Sequence, residues 1–198
     1  MIPLIIKIYI SLISFFLLVG CSYNYEKNSI DKNINPVSII INAKSFTVKK
    51  DIVRNVNINT TYIKKINDRL LEEFESWLYE KFDIQGNENE AAINILLAEA
   101  KLLKNKNNSS SFFKKFFIYK EELYKINLEF YLVIYKEDYF NKRLQIKSST
   151  TFSLFDNMTL SERESLVNNE IKRLIKKIDI KISQDLQGDS FKSVIQIN

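Results

Sequence analysis

The chain has 198 residues, 45% of them hydrophobic and 13% aromatic, which is enough for one packed core. It carries 29 basic and 24 acidic residues, a net charge of +5, with Lys and Glu interleaved; that pattern reads as a solvated surface and a compositional bias, and no nucleic-acid partner is expected. Histidine is absent and there is one cysteine, which excludes Ser-His-Asp and Cys-His nucleophiles, His-rich zinc sites and an internal disulfide, while three glycines are too few for a Gly-rich phosphate loop.

The first element is a leader. Lys7 precedes a largely apolar run from Ile8 to Val19, which ends in Leu18-Val19-Gly20-Cys21. A positive end, an apolar middle and a small residue before the cut make a signal peptide over 1–20. The cysteine after the cut then has a chemical role: its thiol takes a diacylglycerol and its freed nitrogen an acyl chain. Cys21 is the expected lipidation site, and no other cofactor and no metal are expected. A buried methylene adds about 0.8 kcal/mol to anchoring, so one chain holds weakly and two hold well. Ser22 follows, where Asp would favour inner-membrane retention, so the reading is a lipid anchor facing the periplasm, in the outer membrane in preference to the inner. Residues 21–36, rich in Asn and Lys and ending at Pro36, read as a flexible tether. Residues 37–198 read as a single periplasmic domain.

Within that domain, Val37, Ile39, Ile41 and Ala43 alternate and predict a first strand over 37–48. Ile63, Ile66, Leu70, Phe74, Trp77, Leu78 and Phe82 recur at three- and four-residue steps and predict a helix over 62–82, with Thr60 or Thr61 as its cap and Gly86 as its stop. A second strand is predicted over 92–103. Its apolar parity changes from Ile93, Ile95 and Leu97 to Ala98, Ala100 and Leu102, which implies a bulge. Strands over 122–135 and 144–154 should form an antiparallel hairpin turning at Glu137-Asp138. Thr159-x-x-Glu162 and Ser161-x-x-Glu164 both have the form of a capping box and open a second helix over 159–186, closed by Gly188. Residues 189–198 add a short strand or fray. The predicted fold class is α+β, in the order β-α-β-β-β-α: a mostly antiparallel four-stranded sheet with two amphipathic helices on one face.

Little in this order carries reaction chemistry. The acidic pairs Glu72/Glu73, Glu121/Glu122 and Glu162/Glu164 lie among lysines and suit solvation or capping better than acid–base catalysis. Ser111-x-x-Lys114 stands alone, without the other signatures of a Ser-Lys enzyme. The expectation is therefore a non-enzyme. One stretch asks for a partner: Phe112, Phe113, Phe116 and Phe117 flank Lys114 and Lys115, a composition suited to a membrane interface or a protein contact.

The lipobox Leu18-Val19-Gly20-Cys21, the segment Asn67-Asp68-Arg69-Leu70 and the segment Thr159-Leu160-Ser161-Glu162-Arg163-Glu164 together resemble an uncharacterised family of small alphaproteobacterial lipoproteins. The chain departs from that family at Ile66-Asn67, where its members carry a tryptophan. The resemblance implies no activity. The layout is also similar to envelope-transport accessory lipoproteins, which share a lipidated tether and helices over a sheet. Two functions follow as expectations. The first is a non-catalytic, membrane-anchored accessory that docks on an envelope assembly. The second is a carrier of an apolar ligand, held between helices and sheet near Trp77 and Tyr131.

Overall fold

The computed structural model describes residues 38–51, 61–107, 120–136, 141–188 and 190–197, all within the unit Pro36–Asn198. Cys21, the signal and tether, the Phe112–Phe117 stretch, Thr60 and the turn at Glu137-Asp138 lie outside the described residues. In chain order the elements are β1 (Ile39–Ile41), β2 (Ser45–Lys50), α1 (Thr61–Lys81), β3 (Phe82–Ile84), β4 (Glu90–Asn107), β5 (Lys120–Tyr135), β6 (Lys142–Phe155), α2 (Leu160–Leu186) and β7 (Ile195–Ile197). The class is α+β. A four-stranded sheet runs β2-β4-β5-β6, antiparallel except for the parallel pair β2/β4, and a three-stranded sheet runs β3-β1-β7.

The second sheet is absent from the sequence-based plan, and three local events explain it. The expected first strand is cut in two at Asn42–Lys44. There Asn42 N–H donates to the Val194 carbonyl, Ala43 N–H to Ile41, and Lys44 N–H to Asn89, at 2.7–2.9 Å. The alternation itself is correct, since Ile39, Ile41 and Ala43 are all buried, but the chain changes sheets between them. α1 stops at Lys81, and Phe82 opens β3, pairing in parallel with Ile39. Phe82 fits the helical stripe and the strand equally well, and strand pairing wins. Gly86 therefore does not end the helix. It sits in the β3–β4 turn at φ +145°, where an added Cβ would meet Asn42 Oδ1 at 1.9 Å. Finally, Ile195–Ile197 pair antiparallel with β1.

The four-stranded sheet keeps the predicted hairpin, in unbroken register from Glu121↔Phe155 to Ile134↔Lys142. It also has the predicted bulge: pairing of β4 with β5 shifts between Ile95 and Leu97, and again between Leu102 and Lys104. α1 packs over β4 and α2 over β6, with Leu70, Phe74, Ile171, Leu174 and Ile178 fully buried against Ile93, Ile95, Ile126, Phe130 and Ile146. Each such side chain contributes about 1.5–3 kcal/mol by leaving water. The Thr159 capping box forms, with Glu162 N–H donating to Thr159 Oγ1 (3.2 Å) and Thr159 N–H to Glu162 Oε2 (2.8 Å). The Ser161 box does not form. Ser161 is already inside α2, and Glu164 instead bridges to Lys65 of α1 at 2.5 Å. No helix among the described residues is long and apolar enough to cross a membrane.

Candidate docking surface

The strand pleat divides the four-stranded sheet into two surfaces. On β5 the even residues Tyr124, Ile126, Leu128, Phe130, Leu132 and Ile134 are buried beneath the helices. The odd residues, Leu123 to Tyr135, face the other way and are only partly covered, apart from buried Val133. Register carries the same division to the neighbours: Asn94, Leu97 and Glu99 on β4, and Arg143, Gln145, Lys147, Ser149 and Thr151 on β6, share the outer face.

That outer face is polar and self-paired. Lys147 Nζ lies 3.0 Å from Glu129 Oε1, which also accepts from Gln145 Nε2 at 2.7 Å. The Arg143 guanidinium sits 3.3 Å over the Tyr131 ring. Lys101 meets Glu99 at 2.5 Å, and Ser153 Oγ donates to Glu121 at 2.6 Å. A shallow depression of about 240 Å³ lies beside the first bulge, lined by Leu97, Asn127, Leu128, Glu129, Lys147, Ser148 and Ser149. A second, of about 320 Å³, lies beside the small sheet, between Ile40, Asn42, Gln85 and the Lys192–Gln196 stretch. Both are open surface features with mixed polar and apolar walls.

Among the described residues, Trp77 and Tyr131 do not share the expected pocket. Trp77 lies on the helix side, stacked on Phe74 (5.5 Å between centroids), with Phe74 tilted against Phe130 at 4.9 Å. Tyr131 follows Phe130 in the strand and so points to the outer face, under Arg143. Between the two residues stands a filled core.

Three polar clusters were not foreseen. Asp179 of α2 accepts from Trp77 Nε1 (3.2 Å) and pairs with Lys81 Nζ (2.7 Å), whose side chain is 3% exposed. Asn67, also buried, accepts the Ala100 N–H on its Oδ1 at 2.6 Å. Glu122 accepts from Arg163 (2.6 Å) and from Tyr124 OH (3.1 Å), next to Tyr62. Burial, aided by the Glu122 carboxylate, pushes the Tyr124 hydroxyl up to about 12. Burial likewise raises Tyr62, against the opposing charge of Arg163. Glu162 is held below the usual carboxylate range by the Thr159 N–H and hydroxyl, and Glu164 by the Lys65 ammonium. Sequence did hold a signal for two clusters: Asn67 and Lys81 fall in the phase of the apolar stripe Ile66, Leu70, Phe74, Leu78. A polar residue in that phase needs a buried partner. Nothing local in the sequence links Glu122 to Arg163.

Each of these groups staples one element to another. Two of the three acidic pairs have structural partners as well, with Glu121 on Ser153, Glu122 on Arg163, Glu162 on the cap of its own helix and Glu164 on Lys65. Among the described residues no group of three or more His, Cys, Asp or Glu side chains could hold a metal ion. The surface offers contact chemistry, in hydrogen bonds, ion pairs and one aromatic face.

No protein-family model matches this chain, and no curated protein matches its sequence. Solved structures with partial likeness include a minor lipoprotein from Acinetobacter baumannii, at 8% identity over 78% of this chain and 96% of that one, with a TM-score of 0.34. Rare lipoprotein B from Shewanella oneidensis gives 8% identity, 72% and 97% coverage, and a TM-score of 0.33. The Xanthomonas campestris protein XCC0632 (DUF330) gives 11%, 79% and 94%, and 0.30. Two of these three are bacterial lipoproteins by name. Likeness at this level carries no functional argument.

Proposed function

We propose that this chain is a non-catalytic lipoprotein, anchored through acyl chains on Cys21 and facing the periplasm, outer membrane in preference to inner. Its domain docks on an envelope assembly through the outer side of the four-stranded sheet. The observation that carries the reading is Leu18-Val19-Gly20-Cys21 behind an apolar run, in a chain with no other cysteine. The domain supports it in two ways. Its titratable clusters are tied up in holding elements together, and its four-stranded sheet leaves one long face uncovered among the described residues. The Phe112, Phe113, Phe116 and Phe117 stretch belongs to the same reading as a second contact with lipid or partner. Carriage of an apolar ligand between Trp77 and Tyr131 is the weaker reading, because those residues face opposite sides of a packed sheet. The test is fractionation of cells expressing Cys21→Ser against the parent chain. The parent should sediment with membranes and the variant should not; equal sedimentation contradicts the anchor.

A further inference from the structure

The two edges of the four-stranded sheet are finished differently. On one side β2 covers β4 only as far as Lys50↔Ile95. Beyond that point β4 breaks register at Ile95/Leu97 and at Leu102/Lys104, and Asn67 takes the Ala100 N–H. Bulges and side-chain capping of this kind blunt an edge against further pairing. On the other side lies β6, which has β5 as its one strand neighbour among the described residues. Its 14 residues contain no proline and no glycine, and they pair with β5 without a register shift.

Within β6 the two halves differ again. Lys142, Arg143 and Lys147 all lie in the first half, where Lys142 Nζ also donates to the Ser190 carbonyl and to Ser193 Oγ (2.9 Å for the latter). The C-terminal turn therefore stands beside the start of the strand. Ser148–Phe155 (Ser-Ser-Thr-Thr-Phe-Ser-Leu-Phe) has no charge. Charged side chains, proline and bulges are the usual guards of an edge, and this half has none.

We propose that the edge of Ser148–Phe155, open among the described residues, takes one extended strand from another protein chain, added to the sheet by backbone hydrogen bonds. A second copy of this domain does not fit there. α2 lies over β6, with Thr150 Oγ1 donating to Glu170 Oε2 at 2.9 Å. Paired strands stand about 4.8 Å apart, whereas packed helices need about 8–10 Å between axes. Joining two β6 edges would bring two α2 helices to roughly half the separation they require. The guest is therefore a bare strand, without a helix on its inner side, and uncharged opposite Ser148–Phe155. Unpaired N–H and C=O groups supply its affinity, and side-chain fit its specificity.

This inference rests on the docking reading for the class of partner, but its test is blind to Cys21. The test is hydrogen–deuterium exchange of the full chain in detergent, with and without a lysine-flanked peptide of about ten alternating Thr and Val residues. In the free chain, those amides of Ser148–Phe155 that point away from β5 should exchange fast. The peptide should slow them about tenfold or more, matching its bound fraction. A control peptide with proline at every second position, which cannot join a ladder, should not. Thr151 is exposed on the outer face, so Thr151→Lys should keep the fold and weaken the lysine-flanked peptide. The proposal is overturned if all amides of Ser148–Phe155 are already protected in the free chain, which would mean that the chain covers its own edge. It is equally overturned if the peptide changes nothing, if the control protects as well, or if Thr151→Lys binds like the parent.

Discussion

The inner and outer faces of the four-stranded sheet come from the same strands, and in β5 from alternate residues of a single run. Phe130 is fully buried against Phe74 of α1, while Tyr131, its neighbour in sequence, lies under Arg143 on the uncovered side. The inner face holds the domain together by apolar burial, with polar staples only where a helix must be fixed, as at Asn67 and Asp179. On the outer face Lys147 pairs with Glu129, Lys101 with Glu99, and Arg143 covers Tyr131, and this face is the one proposed for docking. Stability and contact are thus separated by the pleat, so substitutions one residue apart should report on different properties.

The sharpest form of that comparison is the pair Phe130→Ala and Tyr131→Ala. The first opens a cavity in a packed core and should cost about 3–5 kcal/mol in urea unfolding. The second removes a half-exposed ring and one cation–π contact and should cost about 1 kcal/mol or less. Equal losses would break the two-face account. Next in size is Asp179→Ala, which leaves the buried Lys81 ammonium without its partner. It should cost about 2–3 kcal/mol, less than a fully buried pair, because the Asp179 side chain is 34% exposed. Replacing Lys81 with Met as well should recover part of that loss, since the stranded charge is then gone. Thr159→Ala removes the cap of α2 and should cost about 1 kcal/mol.

The smallest effect is in pH. Tyr124 is raised in the folded state, so its contribution is fully present below about 10. It is lost as pH rises through about 12. Ultraviolet titration should show a late tyrosine step near that value, and Tyr124→Phe should remove that step. On the acid side, Glu162 and Glu164 are lowered. Their stabilisation is present above the ordinary carboxylate range and fades as pH falls through their folded values.

The inner face was legible in the sequence because burial imposes a period. The helices over 62–82 and 159–186, the strand alternation and the Thr159 cap follow from spacing alone, as does a bulge in β4, although the shift falls at Ile95/Leu97 and puts Leu97 on the outer face, away from Ile93 and Ile95. The small sheet was not legible. Its strands are three residues each, shorter than any period can reveal, and its parallel β1/β3 pair joins residues more than forty positions apart. Phe82 illustrates the difficulty, since one residue satisfies the helical stripe and begins a strand. The outer face was legible only in part. Alternation places Tyr131 opposite Phe130, which separates it from Trp77 and from the ligand site expected between them. Which edge of a sheet is left open depends on strand order, which no local pattern encodes.

The central claim is that this folded domain is carried by lipid on Cys21, and the mass of its N-terminal peptide from membranes tests it most directly. The account predicts a chain beginning at Cys21 and bearing a diacylglyceryl group on sulfur and an acyl group on nitrogen. A chain that still begins at Met1, with an unmodified Cys21 thiol, would contradict it.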